Sequence, residues 1–390
     1  MEKQAVNYQD NATAEVIIIG AGIAGASIAW HLTEAGCKDV LLLERESSQG
    51  KGSTGKSMGG VRAQFATDVN IRMSLYAIPF FAQFEERLGQ YSGYKPHGYL
   101  FCATQQRHLD YLRTNLARQR ALGLQGAEEV TAADISCMVP PWRVDDVLGG
   151  TYCPTDGFVD PHAVMSGFTD AALARGARIV RQCEVTAIEK GRVSTTQGTF
   201  SAPHIVIASG AWSAGVAALA GAQLPVTPLR RMLVPTEPCD AIPERCPMTI
   251  DMSTGFHFRP EGRGLLMAWN DPEETPGFKT AFDPAFIEKI LIRAVERVPV
   301  FETLEVNSKR AWAGLYEVSP DHHAILGTSA EHDWLYYATG FSGHGVMHSP
   351  ATGKVLADLI TRGSTDLIDA DVLNVRRFAE GRAIHETAVL

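Results

Sequence analysis

The plainest chemistry in the chain is carried by the run Gly20-Ala21-Gly22-Ile23-Ala24-Gly25 and by one acid, Glu44. Glycines at this spacing have separate tasks. The first allows a tight turn, the second lets backbone approach a diphosphate, and the third lets a helix pack on a strand. A helix opening at Ile23 and Ala24 turns free N–H groups and its positive end toward phosphate. Glu44 stands about 20 residues further on, where a carboxylate takes ribose hydroxyls. This is the chemistry of a dinucleotide, nicotinamide or flavin. His344 and His348, four apart, could share one helix face, but no third ligand accompanies them and no metal site is expected.

The elements needed to position these residues are present. Val16–Ile19 is a β-branched run, the composition of a buried parallel strand. Residues 23–35 read as a helix stopped near Gly36, and 40–43 as a second strand closing on Glu44. The apolar run ends by His31, too early for a membrane span of about 20 residues. Residues 1–15 carry Glu2, Asp10 and Glu15 without a basic start, so no targeting leader is expected.

The 390 residues suffice for two domains. The net charge of −9 is spread along the chain and excludes a nucleic-acid surface, which needs a basic stripe. The seven cysteines are scattered, odd in number and without a Cys-x-x-Cys pair, which points to a reducing compartment, the cytoplasm.

A second glycine-rich loop at 50–65 is expected to enter a helix near Gly60. Residues 68–89 and 105–122 read as helices, and 97–104 as a strand. A helix should start after Asp160-Pro161 and lead to a strand at Ile179. A β-meander then returns to the strand Ile205–Ala208, which ends in Ser209-Gly210-Ala211-Trp212. A hairpin is expected to turn at Glu261-Gly262, and 333–360 to form a strand, a glycine turn and a helix. Strand-to-glycine turns thus recur at Gly20, Gly210 and Gly340–Gly345. The order predicts a mixed α/β (α+β) protein, with a Rossmann-like nucleotide domain assembled from 14–90, 151–220 and 311–375. A β-rich substrate domain, 91–150 and 221–310, is inserted between them.

The motifs "IIIGAGIAGASIAWHL", "LLLERE", "GSTGKSMGGVRAQF", "PTDGFVDP", "VIASGAWS", "WAGLYEVSPDHHAILG" and "YYATGFSGHGVMHSPATGK" occur in that order. Across about residues 14–375 the chain resembles the FAD-dependent D-amino-acid-oxidase superfamily. Within it, the chain is most similar to the branch of sarcosine oxidases, dimethylglycine dehydrogenases and L-proline dehydrogenase β subunits. The resemblance implies FAD rather than NAD. Gly20, Gly22 and Gly25 would hold the diphosphate, and Glu44 with Arg45 the adenosine. Ser53, Thr54, Lys56, Ser57 and Gly60 would line the ribityl and flavin edge. Val185 would back the adenine, and Ser209, Gly210 and Trp212 would close the nucleotide side. Gly343, His344, Gly345 and Met347 would face the isoalloxazine.

For the substrate, the resemblance implies Arg62 over the flavin as a carboxylate anchor, with His257, Arg259 and Tyr316 in the pocket. Strand alternation puts His257 and Arg259 opposite Phe256 and Phe258. His322 and His323 are expected at solvent or the flavin edge. Relatives that attach flavin covalently use a cysteine where this chain has Gly314, or a histidine in the segment of Gly55 and Lys56, so FAD is expected to be non-covalent. Single-chain oxidases carry a lysine in the strand here holding Leu265, Leu266 and Met267, and another at Met347. Without the first, oxygen should react sluggishly. The expected activity is oxidation of the C–N bond of an amino acid or N-alkyl amino acid, by a dehydrogenase rather than an oxidase. A partner subunit or electron acceptor is in keeping with the branch. The alternative is an FAD-binding subunit or assembly factor without independent turnover.

Overall fold

The structure, a computed structural model, describes residues 12–387. Its centre is a six-stranded sheet in the order Ile325–Thr328, Leu335–Thr339, His204–Ile207, Val16–Ile19, Val40–Leu43, Arg178–Val180. All neighbours run parallel except the Ile325–Thr328 edge strand. The strands are buried on both faces, as the continuous apolar runs require. Val16, Ile18, Val40 and Leu42 pack under the helices Ile23–Glu34, Pro161–Ala174 and Gly345–Arg362. Ile17, Ile19, Leu41 and Leu43 pack under the meander 185–201. Ile23–Glu34 and Gly345–Arg362 approach closely because Gly353 has no side chain; a Cβ there would lie 2.3 Å from Ser27 and His31 side-chain atoms.

The second sheet has eight strands, ordered Trp312–Val318, Thr227–Pro235, Gly264–Ala268, His257–Glu261, Met248–Asp251, Tyr99–Ala103, Gly149–Cys153, Glu128–Val130. Its register explains its two faces. His257 pairs with Ala268, Ala268 with Leu233, and Leu233 with Trp312. Two residues along, Arg231 pairs with Gly314, and Leu229 with Tyr316. The opposite face sends Phe256, Phe258, Leu265, Met267, Met232 and Val234 into a core closed by the helix Ala285–Arg297.

Four expectations differ in detail. Gly60 opens no helix; Gly60–Val61 is a short strand paired with Gly157–Phe158, after a 3-10 turn at Thr54–Lys56. The expected helix 68–89 is two, Asp68–Ala82 and Phe84–Leu88, with Pro79, which lacks an N–H, in the last turn of the first. Glu261 pairs with Gly264, so the hairpin turns at Gly262-Arg263, where Gly262 takes a φ of +58°. His323 is fully buried, bonded to the Thr67 hydroxyl and the Asp321 carbonyl beside the buried Asp321–Arg377 ion pair, away from both solvent and the cavity described next.

Candidate active site

One cavity of about 500 Å³ runs from the C-terminal ends of the parallel strands to the open face of the eight-stranded sheet. Every residue assigned above to cofactor or substrate lines it, except Gly25 and Arg259. Gly25 works from behind, since a Cβ there would lie 2.0 Å from the Gly20 carbonyl oxygen. Arg259 is spent elsewhere. Its Nε donates to the Met58 carbonyl, its Nη1 to the Pro260 carbonyl, and it pairs with Glu261.

At the nucleotide end the cavity is shaped by backbone. Gly20 takes a φ of +103°, and a Cβ there would meet the Ala208 carbonyl oxygen at 2.5 Å. Gly22 caps Ile23–Glu34 without a side-chain bond, leaving the helix N-terminus to face the cavity. Thr54 ties the second loop to that turn by accepting the Ile23 N–H at 3.1 Å. Glu44 accepts from the Ala21 and Glu46 N–H groups, so its carboxylate is fixed as well as facing the cavity. The Arg45 guanidinium lies 4.8 Å from the Trp212 ring centroid.

At the other end stands Arg62, 1% exposed. It follows the short strand Gly60–Val61 and is aligned by Asp156 of the "PTDGFVDP" motif, which accepts the Ala63 N–H and the Gln64 amide. Sequence reasoning missed Asp156; the Asp156-Gly157 pair within that motif was the local signal, but its role depends on tertiary placement. Burial pushes its carboxyl up to about 6. Arg62 donates to the Gln64 carbonyl, reaches His344 Nε2 at 3.4 Å and stacks 3.9 Å from the Phe65 centroid. Because arginine only donates, His344 Nε2 is the acceptor, and burial then Arg62 hold its ring neutral.

Burial pushes the His257 ring down to about 4, so it too is neutral. Its Nδ1 lies 2.9 Å from the Gly255 carbonyl and must donate, which leaves Nε2 as the acceptor. Gly343, at φ +100°, passes so close to Tyr316 that a Cβ would lie 2.5 Å from its ring. Gly343–Met347 opens the helix Gly345–Arg362 toward the cavity, so the positive end of a second helix faces it.

Arg231, Tyr99 and Glu317 are among the cavity residues that had no role in the sequence reading. Burial pushes the Glu317 carboxyl up to about 8. Gly314 and Gly55 are closely packed. A Cβ at Gly314 would lie 2.6 Å from Lys56 Cβ, and one at Gly55 2.1 Å from the Gly50 carbonyl oxygen. His348 bonds the Ser74 hydroxyl, and no cluster of three potential metal ligands occurs among the described residues.

A parallel sheet with a glycine turn, a helix N-terminus and a fixed acid at its end, opening on a cavity lined by the buried Arg62 and the neutral His257, is the arrangement of a dinucleotide-dependent oxidoreductase. The family model described as FAD dependent oxidoreductase (DAO) matches residues 15–359, and the chain belongs to that family. FAD is the cofactor of this family, and the cradle fits it. FAD-dependent oxidoreductase domain-containing protein 1 of Xenopus laevis is 32% identical over 427 residues, covering 94% of this chain and 82% of that protein. Mitochondrial sarcosine dehydrogenase of Mus musculus is 27% identical over 393 residues, covering 96% of this chain and 42% of that longer protein. The solved structure of L-proline dehydrogenase from P. horikoshii superposes with a TM-score of 0.88 at 27% identity, covering 95% of this chain and 99% of that one. No helix among the described residues is long and apolar enough to cross a membrane.

Proposed function

We propose that this protein is a dehydrogenase of an amino acid or N-alkyl amino acid, oxidising its C–N bond with non-covalently bound FAD. The observation that carries the reading is the grouping of Arg62, His257 and Tyr316 at one end of the FAD cavity. FAD, when bound, supplies the hydride acceptor. The chain supplies the rest. Arg62 binds the carboxylate with its fixed fork of donors. The amine must shed its proton to react, and a buried, cationic pocket with neutral histidines disfavours ammonium. His257 Nε2 accepts a hydrogen bond from the amine and orients it. Sarcosine and proline dehydrogenases among the similar proteins support this substrate class.

The dehydrogenase reading is supported by the strand Gly264–Ala268, which carries Leu265, Leu266 and Met267 where the resemblance places an oxidase lysine, with Leu266 packed against Leu233, Ala268 and Met58. Reduced flavin should therefore pass electrons to a dye, or to a partner's cofactor, faster than to oxygen; a fast reaction with oxygen would implicate Lys56 or Arg231, cations that line the same cavity. Stopped-flow reoxidation tests this; reoxidation by air as fast as substrate reduction defeats it. Acid precipitation should release the flavin, whereas flavin left in the pellet would refute non-covalent binding. Bound flavin that no amine reduces would favour the non-catalytic subunit or assembly role.

We further propose the two-domain division given above, with the strand Trp312–Val318 moved to the substrate domain because it pairs with Thr227–Pro235. The cysteines, all free, support a reducing compartment such as the cytoplasm.

A further inference from the structure

Arg231 lines the cavity, yet the reaction above leaves its charge unused. It projects from the middle of Thr227–Pro235, where Arg230 points the other way to pair with Glu274 and Asp283. Among the described residues the buried Arg231 Nε has no hydrogen-bond partner, while Nη1 donates to the Arg230 carbonyl at 3.1 Å. Its guanidinium carbon lies 5.2 Å from the Tyr316 ring centroid. Tyr316 and His257 each feel the charges of both Arg231 and Arg62, so the two arginines flank the same end of the cavity. Lys56, whose stem covers Gly314 in register with Arg231, adds a third cation.

A buried donor without an acceptor is costly unless a ligand supplies one. A carboxylate meets a guanidinium through two parallel N–H···O bonds, and a simple amino acid carries only one carboxylate. With Arg62 engaged by that group, the wall has a cationic site left over. We propose that Arg231 is a specificity residue that binds a second carboxylate, making the substrates amino acids with an additional acid on the side chain or on the nitrogen substituent. This rests on the amino-acid reading of the site.

The test is binding to the purified FAD-loaded protein, followed by the perturbation of the flavin's visible spectrum. Diglycolate and methoxyacetate are the probes, since an ether oxygen replaces the amine and neither can be oxidised as an amine. Diglycolate should bind roughly tenfold or more tightly than methoxyacetate, a gap of about 1.4 kcal/mol. Arg231→Met and Arg231→Gln should abolish that gap while leaving methoxyacetate binding unchanged, and Arg231→Lys should keep part of it. Retained flavin and an unchanged far-ultraviolet dichroism spectrum identify folded variants. Equal affinities, no response to diglycolate, or equal weakening of both probes by Arg231→Met would overturn the proposal. Failure of every amino acid to reduce the flavin, with the diglycolate preference intact, would instead defeat the dehydrogenase reading alone.

Discussion

Replacing Glu317 by glutamine should remove a pH-dependent burden on stability. The residue is 9% exposed, on the cavity wall, with Oε2 3.4 Å from the Thr339 hydroxyl. Desolvation pushes its carboxyl from 4.5 up to about 8. The folded protein therefore keeps a proton that the unfolded chain releases above pH 4.5. That contribution is complete below pH 4.5, declines as pH rises, and is gone above pH 8. At 1.36 kcal/mol per pH unit the span amounts to about 4–5 kcal/mol, a ceiling for a group that can relax. Glutamine keeps the shape and stays neutral. Urea unfolding of both proteins, each saturated with FAD so that the cofactor's own linkage cancels, gives a difference curve against pH. It should rise by several kcal/mol in favour of Glu317→Gln between about pH 5 and 8. A flat difference curve would refute the claim that Glu317 is held neutral.

Arg62→Ala should leave FAD bound and weaken a carboxylate substrate by roughly 2–5 kcal/mol, with Arg62→Lys restoring only part because the fork and the stacking on Phe65 are lost; anaerobic reduction kinetics measure both. Gly25→Ala should destabilise the fold by about 1–3 kcal/mol and loosen FAD, since its Cβ would fall 2.0 Å from the Gly20 carbonyl oxygen; thermal unfolding and fluorescence titration with FAD check this. Gly343→Ala should displace Tyr316 and slow flavin reduction while FAD remains bound. His257→Gln should slow reduction without changing the shape of its profile above about pH 6, because the ring it replaces is already neutral there.

The nucleotide half of the site was legible because local backbone requirements force particular residues: Gly20 at a positive φ, Gly25 under a helix, Glu44 at a strand end. The strand alternation that set His257 against Phe256 and Phe258 also held, with His257 on the cavity wall and both phenylalanines in the core. Arg259 shares the orientation of His257 but finds Glu261 and the Met58 carbonyl, partners that no local pattern announces. Arg231 was overlooked for a related reason. In Arg230-Arg231 it is Arg230 that forms the ion pairs while Arg231 feels Glu274 and Asp271 only from a distance, and only the register against Gly314 and Tyr316 decides which. Asp156 acts on Arg62 from 94 residues away, through Ala63 and Gln64, and is a matter of tertiary placement.

The most direct measurement is anaerobic titration of the purified yellow protein with amino acids and N-alkyl amino acids, sarcosine, proline, glycine and acidic analogues among them. At least one should bleach the flavin's visible absorbance stoichiometrically and yield the imine's hydrolysis product, and Arg62→Ala should raise the concentration required. A flavin that remains oxidised with every such compound, yet is bleached by dithionite, would contradict the account.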